Sequence, residues 1–414
     1  MSSHQVNRTN VERLRGLLAG ALGAVFLAAL SGSGPVWSAP PAPVQYVDLY
    51  AGLDAKLKAI DGVVTARSTG GKHDVTFSAE LLPANANIGE PLFREQTWPA
   101  VLLNLDRLQQ LGVRGVKVAV KYPVLIPSFP RSADYLDFYR RLGQELRRRN
   151  LKFLAQMTDG FRESAFSALP VEPYYAGLTW ERYRREKRQM AETIIREIRP
   201  DYLTVQNEPG TQAHNTGLPM TVQNVTDLLE YVTRGLEKRG TLVGAGAGTW
   251  EDLAYAQSLS RIGAVDYLDM HIYPITRDYV NDRAFRFAEI AQRARKRLVL
   301  GEAWLYKASD QDLRAGNVAA APGLFARDVF SFWEPLDAQF VTTVVKLSHA
   351  VKIDFTSFFW SRYFFGYVDY SERTGRLPPG ELSRLANAAA GRNMTADPPR
   401  MTQTGATLQR LIKP

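Results

Sequence analysis

The stretch Asp201-Tyr202-Leu203-Thr204-Val205-Gln206-Asn207-Glu208-Pro209 decides the fold that we predict for this chain. Its residues 202–205 are aromatic, aliphatic or β-branched, as a buried strand requires, and the run then stops at polar residues and a proline. A second stretch, Arg297 to Trp304, repeats the pattern with an apolar strand that reaches Glu302. Carboxylates at the carboxyl ends of buried parallel strands are typical of a (β/α)8 barrel, which carries its functional groups at that end.

The rest of the chain alternates between apolar strands and amphipathic helices. The predicted strands are 75–82, 116–120, 153–157, 202–205, 242–247, 267–273, 297–302 and 355–360. The predicted helices that follow them are 99–111, 132–149, 179–198, 222–238, 250–259, 283–294, 338–351 and 406–412. Eight such units favour closure into a barrel over an open, doubly wound sheet. We therefore predict an α/β fold, a single-domain (β/α)8 TIM barrel with an N-terminal helical extension over 46–60.

The N-terminus has the features of a secretory signal peptide. Arginines at positions 8, 13 and 15 precede the apolar run 17–30, and the small residues Ser38 and Ala39 follow it. The run is shorter than the roughly 18 residues expected of a spanning helix. We predict a signal peptide over 1–39, a linker and helix over 40–70 and a catalytic barrel over 71–414. Export to the periplasm or the extracellular space, with no membrane span after cleavage, follows from this interpretation; an uncleaved anchor and a buried helix are the alternatives.

Composition excludes several classes of site. The chain contains no cysteine, which rules out disulfides, thiol nucleophiles and thiolate metal ligands. Its five histidines are not spaced as a local metal motif, so we expect neither a metal nor another cofactor. The net charge of +9 suggests an anionic partner, although acidic residues are interleaved with the basic ones in 140–149 and 182–199, as on solvated helix faces. For an exported protein we do not expect nucleic acid, and an acidic polysaccharide stays open.

Glu208 and Glu302 are the candidate catalytic pair. Strands four and seven of an eight-stranded barrel face each other across its mouth, so the two carboxylates would oppose each other there. Two carboxyl groups about 5 to 5.5 Å apart are the equipment of a retaining glycosidase, one as general acid/base and the other as nucleophile. The alternative for each residue is a structural role, as a helix cap or as the partner of a basic side chain.

Strand six adds His271 and Tyr273, which alternation places on the same face of the strand. A tyrosine hydroxyl at this position could hydrogen-bond the nucleophile and hold its charge. The alternative is a core histidine and a packing tyrosine.

Together, Asn207-Glu208-Pro209, Glu302, His271-x-Tyr273-Pro274 and Trp360 resemble glycoside hydrolase clan A. This superfamily of retaining (β/α)8 enzymes includes the cellulase-type family 5 and the endo-galactanase family 53. The resemblance spans the chain from about residue 75 to 412 in pattern and is specific at these strand ends.

The resemblance implies roles for single residues. Glu208 matches the acid/base and Glu302 the nucleophile. Asn207 matches the residue that binds the 2-hydroxyl of the sugar being cleaved, Tyr273 the hydrogen-bond partner of the nucleophile, and Trp360 the aromatic platform under that sugar.

The chain also departs from the clan pattern. Lys121 lies where many members carry an arginine near the end of strand two, and strand three offers Gln156 and Asp159 in place of a histidine. The substrate-binding candidates are thus Asn207, His271, Tyr273, Trp360, Lys121 and Trp304, the last as a stacking surface.

These observations predict an exported retaining glycoside hydrolase that cleaves a β-linked polysaccharide or oligosaccharide without a cofactor. A transglycosidase and a non-catalytic carbohydrate-binding or envelope-associated barrel are the alternatives. The sugar, the linkage and the oligomeric state are left open.

Overall fold

The computed structural model describes residues 39–68, 70–163, 166–275, 278–314 and 321–413. The predicted signal peptide therefore lies outside the described residues, apart from Ala39. In the described ranges, no helix is both long enough and apolar enough to cross a membrane.

Eight parallel strands form a closed barrel in chain order, and the first strand pairs with the last. The strands are β1 (Thr76–Glu80), β2 (Gly115–Ala119), β3 (Lys152–Gln156), β4 (Tyr202–Gln206), β5 (Leu242–Gly248), β6 (Tyr267–Ile272), β7 (Arg297–Ala303) and β8 (Phe355–Phe358). Each overlaps its predicted counterpart, which confirms the (β/α)8 TIM barrel.

Helices surround the barrel. The α-helices are α1 (Val47–Arg67), α2 (Thr97–Leu111), α3 (Ser132–Arg148), α4 (Glu172–Tyr175), α5 (Trp180–Thr193), α6 (Pro209–Thr216), α7 (Val222–Thr233), α8 (Ala254–Ser260), α9 (Phe285–Arg293), α10 (Asp310–Arg314), α11 (Pro322–Ala326), α12 (Glu334–Ala350), α13 (Pro379–Thr395) and α14 (Gln403–Ile412). Two π-helical segments, Ile194–Ile198 and Asp278–Ala284, extend α5 and precede α9.

The prediction missed α13, which lies between β8 and α14. Its buried face consists of Leu382, Ala386, Ala390 and Met394, spaced at four-residue intervals. Two of these four residues are alanines, so the helical period has little hydrophobic contrast in the sequence. The small residues allow close packing, since a Cβ at Gly366 would lie 2.6 Å from the backbone of Ala390.

The N-terminal extension is the helix α1, longer at its carboxyl end than predicted. It buries Leu53, Leu57, Ile60 and Val64, spaced as one face of a helix. This face packs against α12, where the Lys346 ammonium lies 2.8 Å from the Asp61 carboxylate. The extension is therefore joined to the barrel through its apolar face.

Bulky side chains close the lower part of the barrel interior. Leu154, Tyr202, Tyr267, Val299 and Phe355 form a buried cluster there. Glycine in β5 makes room for this layer, because a Cβ at Gly244 would lie 2.3 Å from the Tyr267 ring. With the lower part filled by apolar groups, the polar side chains of the strands gather towards the carboxyl end.

Candidate active site

The two predicted glutamates meet at the carboxyl end of the barrel. Glu302 lies in β7, and Glu208 follows β4 by two residues. One oxygen of each carboxylate lies within 4.8 Å of the other. The Nδ1 atom of His271 lies between them, 2.6 Å from Oε1 of Glu208 and 3.9 Å from Oε2 of Glu302. The barrel therefore brings together the two carboxylates that the sequence placed on opposite strands.

The Glu302 carboxylate is held as an anion from both sides. Oε1 accepts a hydrogen bond from the Lys117 ammonium at 2.6 Å, and Oε2 accepts one from the Tyr273 hydroxyl at 2.5 Å. Burial alone would raise the pKa of Glu302, but the positive charges of Lys117, His271 and Lys121 outweigh it and lower the pKa to about 2. A buried, ionised carboxylate is suited to nucleophilic attack.

Lys117 is the residue of this site that the sequence analysis missed. It lies in β2, is 0% exposed, and is shared between Glu302 and the buried Glu80 of β1. Burial would lower the pKa of Lys117, yet the charges of Glu302 and Glu80 raise it, so the ammonium stays charged. A signal was present, since a lysine in the middle of the apolar strand Gly115–Ala119 requires a buried partner.

Glu208 has an unusual backbone conformation. It immediately precedes α6 and adopts the left-handed region, with φ 43° and ψ 65°. Strained backbone of this kind is concentrated at functional sites, where the surrounding structure enforces it. Its side chain is 15% exposed, so the carboxyl group can reach a ligand in the mouth of the barrel.

His271 links the acid/base candidate to the strands beneath it. Its Nε2 atom lies 3.0 Å from the side-chain amide of Asn207, 3.0 Å from that of Gln156 and 3.7 Å from the Asp269 carboxylate. Burial would lower the pKa of His271, but the charges of Glu302 and Asp269 and the hydrogen bond with Glu208 raise it to about 10. The raised pKa favours the protonated ring, and Nδ1 shares a hydrogen bond with Glu208.

Lys121 lies at the mouth, directly after β2. It is 7% exposed, and its ammonium donates to Thr158 Oγ1 at 2.5 Å. Burial lowers its pKa, partly offset by the charge of Glu302. Lys121 thus adds positive potential near Glu302, whereas Lys117 makes the direct contact.

The two tryptophans predicted to bind substrate differ in their surroundings. Trp360 follows β8 and is partly exposed, with its ring 4.7 Å from that of Phe359 and with the Arg362 guanidinium 4.4 Å from its centre. Trp304 is 1% exposed, and its ring lies 5.7 Å from that of Tyr363. Trp304 therefore packs within the protein, while Trp360 keeps part of its surface at the mouth.

Three side chains of the site also lie close enough together to hold a metal ion. Glu208, His271 and Glu302 offer one ligand atom each within 4.8 Å, a spacing that a metal ion accepts. However, Lys117 already pairs with Glu302, and Nδ1 of His271 is already hydrogen-bonded to Glu208. The ligand atoms thus already have partners, and the ammonium of Lys117 opposes a further cation, so the set fits proton transfer and nucleophilic attack better than metal ligation.

Solved structures of glycoside hydrolases share this fold. A GH5_18 from Bifidobacterium longum subsp. longum ATCC 55813 is similar with a TM-score of 0.54 at 13% identity, covering 82% of this chain and 78% of that one. A variant of a GH5_18 from the same source, in complex with Manb1-4GlcNAc, gives a TM-score of 0.53 at 13% identity with coverage of 82% and 78%. A GH5_18 from Streptomyces cattleya, in complex with GlcNAc, gives 0.50 at 17% identity with coverage of 83% and 80%.

No protein-family model matches the sequence, and no curated protein matches it. The similarity to these solved structures confirms the (β/α)8 barrel, a fold that the chain shares with glycoside hydrolases.

Proposed function

We propose that the protein is a retaining glycoside hydrolase acting on a β-linked glycan, with Glu302 as the nucleophile and Glu208 as the general acid/base. The observation that carries this proposal is the approach of the two carboxylates, whose nearest ligand oxygens lie within 4.8 Å. Retaining enzymes place these groups about 5 to 5.5 Å apart, whereas inverting enzymes separate them by about 6.5 to 9.5 Å.

The first step is attack by the Glu302 carboxylate on the anomeric carbon. The glycosidic C–O bond breaks, and Glu208 gives its proton to the departing oxygen. Before the step, Lys117 and Tyr273 keep Glu302 ionised and oriented by one hydrogen bond to each oxygen. The Nδ1 atom of His271 lies 2.6 Å from Oε1 of Glu208, so a proton can be shared between the ring and this carboxyl group.

The second step releases the sugar from Glu302. Glu208, now a carboxylate, takes a proton from water while the water oxygen attacks the anomeric carbon, and the ester bond to Glu302 breaks. If an acceptor sugar replaces water, the same residues catalyse transglycosylation. A binding protein without activity is the other alternative, although a binder does not require a buried carboxylate whose pKa is about 2.

The substrate is proposed as a carbohydrate with a β-linked sugar at the cleavage point. Asn207 is assigned to the sugar beside the bond, and Trp360 to its apolar face. The positive charge of Lys121 near the mouth leaves an acidic sugar open as a substrate.

Hydrolysis of a panel of aryl β-glycosides and β-linked oligosaccharides tests the proposal. The panel includes Manb1-4GlcNAc, the ligand of one structural neighbour. We expect one sugar to be released with retention, Glu302→Ala to lose this activity, and Glu208→Ala to lose it on substrates whose leaving group requires protonation.

Azide distinguishes the two roles. It should return an α-glycosyl azide from Glu302→Ala and a β-glycosyl azide from Glu208→Ala, because it enters from opposite faces of the ring. Release of the sugar with inversion would contradict the double displacement. Lack of turnover across the panel, with sugar binding that survives both substitutions, would favour the binding protein.

We also propose that the protein is exported by its N-terminal segment. The basic residues and the apolar run in 1–39 support this interpretation. Mass spectrometry of the protein from fractionated cells tests it: a mature chain beginning near residue 40 in the periplasm or medium is expected. A full-length chain in the membrane fraction would instead indicate an anchor.

A further inference from the structure

Glu251 joins the end of β5 to the start of α6. It lies in the turn after β5, and its Oε1 atom accepts the backbone N–H of Gly210 at 2.7 Å. Its Oε2 atom accepts the backbone N–H of Gly248, the last residue of β5, at 2.8 Å. One carboxylate therefore bonds two backbone segments, and one of them begins two residues after Glu208.

The bond to Gly210 replaces an ordinary helix cap. The first turn of a helix has backbone N–H groups without partners inside the helix, and the residue before the helix usually supplies an acceptor from its own side chain. Glu208 has that position in α6, yet in the described structure it makes no capping hydrogen bond to the helix. Its carboxylate contacts His271 instead, at 2.6 Å.

The hydrogen bond between Glu251 and Gly210 also supports the strained conformation of Glu208. A residue other than glycine stays in the left-handed region only where its surroundings enforce it, and φ at Glu208 is 43°. Pro209 fixes the following φ, and Glu251 holds the next N–H group. Gly210 permits this approach, because a Cβ there would lie 3.3 Å from Oε1 of Glu251.

Glu251 and Glu208 are also electrostatic neighbours. Burial raises the pKa of the Glu251 carboxyl to about 7. The hydrogen bond from Gly210 lowers this pKa, and the charge of Glu208 raises it. The two carboxyl groups thus interact through space as well as through the backbone of 208–210.

We propose that Glu251 is a positioning residue for Glu208: by capping α6 from β5, it frees the Glu208 carboxyl group and holds it at the leaving-group oxygen. This inference rests on the proposed function, because it assumes that Glu208 is the general acid. It adds a third carboxylate to the site, one that does not touch the substrate.

A series of aryl glycosides with different leaving groups tests the role of Glu251. A dinitrophenolate departs without an acid, whereas a phenolate with a high pKa requires protonation, and general acid catalysis contributes about 10²- to 10⁴-fold. Glu208→Ala should therefore lower kcat/KM for the phenyl glycoside by about 100-fold or more and leave the dinitrophenyl glycoside much less affected in the first step.

The Glu251 variants should show the same selectivity between the two substrates, with smaller losses in kcat/KM. Since a displacement of about 1 Å can cost about 100-fold, we expect Glu251→Ala to lower kcat/KM for the phenyl glycoside by about 10- to 100-fold. The value for the dinitrophenyl glycoside should stay within about twofold of wild type. Glu251→Gln, which keeps one acceptor oxygen, should lose less. Glu230→Gln, at an exposed position of α7, is the control and should change neither substrate.

Gly210→Ala provides a second variant that leaves Glu251 in place. Its added methyl group would lie 3.3 Å from Oε1 of Glu251, so the carboxylate must shift by a few tenths of an ångström, and we expect a smaller selective loss than in Glu251→Ala. Equal losses on both substrates, or no loss on either, in Glu251→Ala and Glu251→Gln would overturn the inference while Glu208→Ala keeps its selectivity. If Glu208→Ala itself lacks the selectivity, the acid role proposed for Glu208 fails, and the role of Glu251 fails with it.

Discussion

Replacing Lys117 by methionine tests whether its charge keeps Glu302, the proposed nucleophile, ionised. Methionine fills a similar volume but removes the charge between Glu80 and Glu302. Breaking a buried ion pair by removing one partner costs about 3 to 5 kcal/mol. The difference between the ordinary pKa of 4.5 and the value of about 2 at Glu302 corresponds to about 3 kcal/mol, of which Lys117 is the largest favourable source. We therefore expect Lys117→Met to lower the free energy of unfolding by about 3 kcal/mol.

The same substitution should change the dependence of activity on pH. The folded pKa of Glu302 is lowered, so its ionised form and the stability that this form contributes are present above 4.5 and are lost as the pH falls through about 2. Without Lys117, the pKa of Glu302 rises, and the acidic limb of kcat/KM moves towards neutral pH. The assay is kcat/KM for an active aryl glycoside from acidic to neutral pH, alongside denaturant unfolding of the same samples.

Two controls accompany this experiment. Lys117→Arg keeps a charge and should retain most of the wild-type acidic limb, whereas Lys152→Met removes an exposed ammonium paired with Asp201 and should have little effect. An unchanged acidic limb together with wild-type stability in Lys117→Met would refute the reasoning, because the ion pair would then contribute to neither property.

Three further predictions concern Tyr273, His271 and the N-terminal helix. Tyr273→Phe removes the hydroxyl that donates to Glu302 at 2.5 Å. We expect kcat/KM to fall by a factor that corresponds to about 1.5 to 3 kcal/mol of transition-state stabilisation, with a wild-type circular dichroism spectrum. A loss below about threefold would speak against the contact. The raised pKa of His271 contributes stability that is fully present below its ordinary value of 6.5 and is lost as the pH rises through about 10. The free energy of unfolding, measured from neutral to alkaline pH, should therefore decline in the wild type and not in His271→Gln. In α1, we expect Leu57→Ala to lower the free energy of unfolding by about 2 to 5 kcal/mol and Asp61→Ala by less than about 1 kcal/mol. The reason is that the apolar face, rather than the partly exposed ion pair of Asp61 with Lys346, attaches the helix. Equal losses in urea unfolding would contradict this.

The strands of the barrel could be predicted from the sequence because each is a short apolar run that ends at polar residues. The same pattern located Glu208 and Glu302, since the end of a buried strand is the one place where a carboxylate reaches the mouth. His271 and Tyr273 followed from the alternation of side chains along β6.

The environment of these residues could not be read in the same way. The contact between Lys117 and Glu302 joins β2 to β7 across the interior, and it depends on the closure and register of the barrel rather than on spacing along the chain. The two backbone hydrogen bonds of Glu251 form in a turn within the predicted helix 250–259, whereas α8 begins only at Ala254 in the structure. For α13, an alanine-rich buried face gave too little contrast to be recognised.

The ion pairs of Lys117 with Glu80 and Glu302 affect how the site can form during synthesis of the chain. Glu80 belongs to the first strand and Glu302 to the seventh, and β8 lies between these strands where the barrel closes. A ribosome releases the strands in order, so the partners of Lys117 cannot be fixed in place until the last strand has emerged and docked. A chain that ends before residue 355 therefore leaves Glu302, the proposed nucleophile, on an open edge. Synthesis itself thus restricts a working site to molecules that have been translated through β8.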